Sequence, residues 1–152
     1  MPGPSFRRAT GADLPALVDL LADDEIGRTR EDTATPLNSR YVQAFDAIER
    51  DPNQMLMVAE RDGRVVGCLQ LTLIPGLSRL GMRRGQIEGV RIARDQRGEG
   101  LGRAMFAWAI EECRSRGCGL VQLTTDRSRP DARRFYEQLG FEASHEGMKL
   151  AL

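Results

Sequence analysis

The stretch Arg97-Gly98-Glu99-Gly100-Leu101-Gly102-Arg103 sets three alternate glycines and two flanking arginines between a strand-like run, Arg84 to Ala93, and a helix-like run, Leu101 to about Arg116. It constrains the fold more than any other feature. Glycine reaches positive φ at little cost and lets backbone approach a ligand with no Cβ in the way. A helix starting at such a loop adds unpaired N–H groups and the positive end of its dipole. That combination binds phosphate. A Walker loop needs Gly-x-x-x-x-Gly-Lys-Ser/Thr, and the only lysine is Lys149. A dinucleotide fingerprint needs Gly-x-Gly-x-x-Gly near the first strand, whereas this spacing is Gly-x-Gly-x-Gly and lies late in the chain. A glycine-rich turn without a ligand is the plain alternative.

At 152 residues, 41% apolar and 29% charged, the chain reads as one soluble domain spanning residues 1–152. A formal net charge of zero argues against a nucleic-acid partner. No apolar run has the length of a membrane span and the opening MPGPSFRRAT has no signal-peptide core, so a cytoplasmic location is expected. Cys68, Cys113, Cys118 and the single His145 lack metal-ligand spacing; reduced thiols and no metal are expected.

Charge is unevenly spread. Arg79 to Arg103 holds seven arginines against Glu88, Asp95 and Glu99, while Asp19 to Asp32 holds six acids against Arg28 and Arg30. These are either two solvated faces or the two sides of one site, an anionic cofactor on one and a cationic acceptor on the other.

Apolar periodicity gives a mixed α/β chain. Strands are expected at Ser5–Ala9, Met55–Glu60, Arg64–Ile74, Arg84–Ala93 and Gly119–Thr125, with a hairpin at Asp62-Gly63. Helices are expected at Gly11–Asp23, Asn38–Arg50, Leu101–Arg116 and Pro130–Leu139, the last closed by Gly140. A closing hairpin of Phe141–Ser144 and Met148–Leu152 completes the order βααβββαβαββ.

This order, with two local motifs, resembles the GNAT superfamily of N-acetyltransferases across essentially the whole chain. Arg97-Gly98-Glu99-Gly100-Leu101-Gly102 matches the family's Gln/Arg-x-x-Gly-x-Gly/Ala, and Ala132-Arg133-Arg134-Phe135-Tyr136-Glu137-Gln138-Leu139-Gly140-Phe141 matches its Ala-x-x-Phe-Tyr-Glu-x-Leu-Gly-Phe. The resemblance implies the GNAT fold, a mixed sheet of about seven strands splayed at the cofactor site and flanked by four helices. It implies acetyl-CoA as cosubstrate. The pyrophosphate would sit on the backbone of Arg97, Gly98, Glu99, Gly100, Leu101, Gly102 and Arg103, and the pantetheine arm would pair with Val90, Arg91 and Ile92 as an added strand. Splaying requires a bulge, for which Gly89 is the candidate.

Direct attack of an amine on the thioester needs a base, an oxyanion donor and an acid for the leaving thiolate. Glu88 is the candidate base, directly or through a water; without a bulge it shares its parity with Gln86, Val90 and Ile92. Its plain alternative is an ion pair with Arg84 or Arg91. Tyr136 is the candidate acid, since the family motif puts a tyrosine hydroxyl beside the sulfur; otherwise it only packs. A backbone N–H near Val90 is the candidate oxyanion donor. Where many relatives have an asparagine, this chain has Arg129, which puts a pantetheine contact in doubt and offers a CoA phosphate a cation.

The acceptor is a small-molecule or peptide amine, and a homodimer follows family habit. The loop 24–32, Tyr41 and Phe45, and the strand around Gln70 and Thr72 are the candidate lining, with core packing the alternative for the two aromatics. The acids favour a cationic amine, while Arg28 or Arg30 would suit an anionic amino acid. An acetyl-CoA sensor without turnover, or a nucleotide-binding α/β domain, are the rival functions.

Overall fold

A computed structural model describes residues 2–152. Five strands form one sheet in the order β1-β2-β3-β4-β5: β1 Ser5–Arg8, β2 Gln54–Arg61, β3 Arg64–Ile74, β4 Arg83–Ile92 and β5 Cys118–Gln122. The first four pair antiparallel, and β5 runs parallel to β4. The parallel step needs a crossover, which α4, Leu101–Ser115, supplies. Asp62 and Gly63 both take positive φ, 52° and 74°, at the β2–β3 hairpin.

The sheet separates two cores. On one face α4 buries Leu101, Met105, Phe106, Ala109 and Cys113 against Met57, Leu69, Leu71 and Ile87. These positions recur at helical spacing, so one stripe meets the pleat. On the other face α1, Leu14–Ala22, sets Leu14 and Leu17 over Val58 and Cys68. Phe45 of α2, Ser39–Arg50, packs against that second core. Tyr41 instead spans to the loop, its hydroxyl accepting from the Asp32 amide at 2.8 Å and donating to Glu31 at 3.0 Å.

Three sequence expectations change. Among the described residues there are five strands, not about seven, because 141–152 forms none: Met148, Leu150 and Leu152 keep the strand-like alternation but lie exposed. There are five helices, not four: after Pro75-Gly76 the chain makes a short turn, α3 Ser78–Gly81, with Arg79 and Leu80 in left-handed conformation at φ 56° and 60°. And β5 ends at Gln122 rather than Thr125, because its pairing with β4 covers only Arg83–Gln86. Past Gln86 the two parallel strands part company.

Candidate active site

The parting of β4 from β5 coincides with an irregularity in β4. Gln70 pairs with Glu88 and Cys68 with Arg91, so three residue steps in β4 oppose two in β3. Gly89 takes φ 63° inside this bulge, a conformation that strains any residue with a Cβ. The extra residue resets the parity of the strand. Ile87, Val90 and Ile92 all pack on the α4 core, while Glu88 and Arg91 share the α1 face through their partners Gln70 and Cys68. Glu88 therefore does not share a face with Val90 and Ile92. It is exposed, and among the described residues it has neither an ion pair nor a hydrogen bond. Its two sequence-level rivals are occupied elsewhere: Arg84 donates to Gln122 at 3.2 Å, and Arg91 lies 3.2 Å from Asp24.

Around Glu88 the face is polar. Gln54 Oε1 accepts from Gln70 Nε2 at 3.0 Å and from Thr72 Oγ1 at 2.8 Å, and Gln122 Nε2 donates to Gln86 Oε1 at 3.0 Å.

Beyond the bulge, Ala93 N–H donates to Val66 at 2.8 Å, so the alternation of a strand turns the backbone groups of Val90 and Ile92 toward the open side. The chain's own arginines reach two of these carbonyls, Arg91 Nη1 to Val90 at 2.9 Å and Arg97 Nε to Ile92 at 3.2 Å.

The glycine loop is an open, exposed turn. Gly98 and Gly100 have φ 79° and 82°, and a Cβ built on either meets nothing within 4 Å. Their role is conformational. Gly102 differs: a Cβ there would stand 3.0 Å from Ile92 Cδ1 and 3.5 Å from Phe135 Cζ, so it lets the first turn of α4 close on β4 and α5, Pro130–Gln138. The amides of Gly98, Glu99 and Gly100 make no backbone hydrogen bond among the described residues, and those of Leu101, Gly102 and Arg103 belong to the first helical turn. Arg61 tethers the loop through Gln96 and, at 3.1 Å, Glu99.

Tyr136 on α5 is wedged between aromatic rings, with centroids 5.4 Å from Phe106 and 5.7 Å from Phe135. Burial pushes its phenol up from the ordinary value, opposed by the charges of Arg129 and Arg91. The hydroxyl stays protonated at neutral pH and finds no hydrogen-bond partner among the described residues. The thiols are inert by comparison: burial pushes Cys68 and Cys113 up to about 12.

The acidic and basic segments do meet, and they neutralise each other in part. Asp23 accepts from Arg94 at 3.0 Å, and Asp24 Oδ2 lies 3.2 Å from Arg91 Nε and 3.0 Å from Arg129 Nη2. Burial works against the Asp24 carboxylate, but the Gly27 amide and the two arginines hold its pKa below the ordinary range. The turn Asp24–Gly27 is tight, since a Cβ on Gly27 would lie 1.9 Å from the Leu21 carbonyl oxygen. Sequence reasoning placed an acidic run and a candidate acceptor loop here, but not a capped turn. The available signal was Asp24 three residues ahead of a glycine, the spacing at which an aspartate caps a turn. Arg28 lines a separate cavity of about 750 Å³ with Asp19, Asp23 and Arg94, and neither Glu88 nor Tyr136 borders it. His145 sits exposed beside Ser144, whose Oγ is 2.7 Å from Nδ1. No cluster of potential metal ligands occurs among the described residues, nor any helix long and apolar enough to cross a membrane.

A parallel β4–α4–β5 unit that opens at a bulge, with a glycine loop at the helix start, defines an acyltransferase that draws on acetyl-CoA. The chain belongs to the acetyltransferase (GNAT) family, whose model matches residues 14–141. It is 35% identical over 105 residues to an aminoalkylphosphonate N-acetyltransferase of Salmonella typhimurium, covering 69% of this chain and 68% of the relative. It is 41% identical over 91 residues to a glucosamine 6-phosphate N-acetyltransferase of Trypanosoma brucei brucei, covering 59% of each. A crystal structure described as a transcriptional regulator from Bacillus halodurans superposes with a TM-score of 0.95 at 50% identity, covering 98% of this chain and 99% of that one.

Proposed function

We propose that this single domain transfers the acetyl group of acetyl-CoA to the primary amine of a small molecule, by direct attack with Glu88 as general base and Tyr136 as general acid. The Gly89 bulge carries the reading: it turns Glu88 onto the polar lane at the point where β4 leaves β5, with a carboxylate that no cation occupies. The pyrophosphate lies on the backbone of Arg97 to Arg103, and the pantetheine arm pairs with the outward groups of Val90 and Ile92. The carbonyl contacts of Arg91 and Arg97 leave the N–H groups of that edge free. Arg129 stands at the acetyl end of this path, where Asp24 ties it near Tyr136.

The amine gives a proton to Glu88, directly or through a water, as its nitrogen bonds to the thioester carbon. The N–H near Val90 stabilises the oxyanion, the C–S bond breaks, and Tyr136 protonates the leaving thiolate. Relatives named for aminoalkylphosphonate and glucosamine 6-phosphate support a small-molecule acceptor over a peptide. The experiment is thiol release from acetyl-CoA across a panel of amines, repeated with Glu88→Gln. Release that the variant loses supports the reading; release that it retains with an unaltered pH profile removes Glu88 from the role.

The relative described as a transcriptional regulator favours a second reading, an acetyl-CoA sensor without turnover. Tight CoA binding with no release from any amine would establish that one instead.

A further inference from the structure

Among the described residues, Arg91 is the one charged side chain of the site with a buried polar atom left unpartnered. Its side chain is 13% exposed, and its Nε is buried without a hydrogen-bond acceptor: the Asp24 oxygen at 3.2 Å lies off the N–H direction. A buried cationic donor with no partner costs more than almost any other polar defect, and it persists where a ligand completes it. Arg129 stands on the same Asp24 oxygen, so one carboxylate faces two guanidinium groups and the cluster keeps a net positive charge. The bulge puts Arg91 on the same face as Glu88, and Arg129 caps the start of the helix that carries Tyr136. The surplus charge thus lies on the acceptor side of the base and beside the acid.

We propose that the acceptor is a primary amine bearing an oxyanion group, a phosphonate, phosphate or carboxylate, and that Arg91 and Arg129 hold this group while Glu88 faces the amine. Asp24 is the place-holder. It keeps both guanidinium groups oriented before the acceptor binds and sets how strongly an incoming anion is drawn. Guanidinium forks match such oxyanions in shape and form charge-assisted bonds to them. This assignment rests on the N-acetyltransferase reading above and adds the acceptor's second functional group.

The test compares kcat/KM for aminomethylphosphonate, glucosamine 6-phosphate and glycine with that for ethanolamine and glucosamine, which lack the acid. At least one acid-bearing amine exceeds the acid-free pair by roughly tenfold or more, as a charged hydrogen-bonded contact provides, and the acid that wins identifies the anion. Arg129→Gln collapses that ratio through the KM of the acceptor and not that of acetyl-CoA. Asp24→Asn lowers the acceptor KM. Should these variants not fold, methylphosphonate and inorganic phosphate inhibit the unaltered protein competitively against the amine and not against acetyl-CoA. Equal efficiency with and without the acid overturns the proposal and leaves the acetyltransferase reading intact. So does an Arg129→Gln effect confined to the KM of acetyl-CoA. No turnover with any amine removes the acetyltransferase reading itself.

Discussion

The glycine loop and the Asp24 cluster both bring positive charge to the site, but by opposite means. In the loop the charge is partial and belongs to backbone: Gly98 and Gly100 hold positive φ, the amides are unpaired, and the surroundings are open. In the cluster the charge is formal and belongs to side chains that converge from β4, from the start of α5 and from the loop after α1. A backbone site is built by neighbours in sequence. A side-chain cluster needs residues up to 105 positions apart, and its strength is set by how much of the charge an internal carboxylate already cancels.

The contrast is tested most severely at Glu88, on the same sheet face as Arg91. Glu88→Gln is expected to lower kcat about 100-fold or more, the usual contribution of a positioned base, and to flatten the rise of rate with pH. Acetyl-CoA affinity and melting temperature should hardly change, because Glu88 is exposed and unpaired. Steady-state kinetics from pH 6 to pH 9 (a range of roughly three units around typical working pH) checks this.

At the loop, Gly100→Val should weaken acetyl-CoA binding by roughly tenfold or more, since left-handed backbone costs a β-branched residue at least about 1–2 kcal/mol. Space is not the obstacle, as nothing lies within 4 Å of the new Cβ. Calorimetric titration with CoA reads the loss, and retained affinity would move the pyrophosphate elsewhere.

Tyr136→Phe should lower kcat by roughly tenfold, less than the usual contribution of a general acid because thiolates leave readily. The ring contacts to Phe106 and Phe135 survive the change, so thermal melting should not shift. Unaltered kcat would make the tyrosine a packing residue only.

The smallest effect is on stability. Asp24→Asn should cost about 1.5–3 kcal/mol at neutral pH, the range for hydrogen bonds to charged groups. The folded-state pKa of Asp24 is lowered, so its contribution is complete above the ordinary carboxylate range and is lost as pH falls through the folded value. Urea midpoints of the two proteins should differ at neutral pH and converge in acid, below the ordinary carboxylate range; a constant difference would mean that charge is not the cause.

Most of the element order was legible because each signal is local. The Asp62-Gly63 hairpin, the 3.6-residue stripe of α4, the proline at the start of α5 and both family motifs each concern neighbours along the chain. The tail failed for a physical reason. Met148, Leu150 and Leu152 alternate as a strand does, but alternation gives a sheet only where a partner edge accepts it, and these side chains stay in solvent. Gly102 serves close packing against Ile92 and Phe135, a contact no spacing reveals.

The sequence by itself determined the donor side of this protein: an α/β chain of the acetyltransferase family, with a glycine loop at a helix start and Phe135-Tyr136 one strand and one helix later. Only the tertiary structure decided which way the side chains face. One extra residue at Gly89 reverses the parity of β4, separating Glu88 from Val90 and Ile92 and putting it beside Arg91. Only folding, too, brought the acidic and basic segments together and showed that they cancel in part. Backbone conformation follows from local steric preference, whereas facing and pairing depend on distant segments that meet only once the sheet is formed.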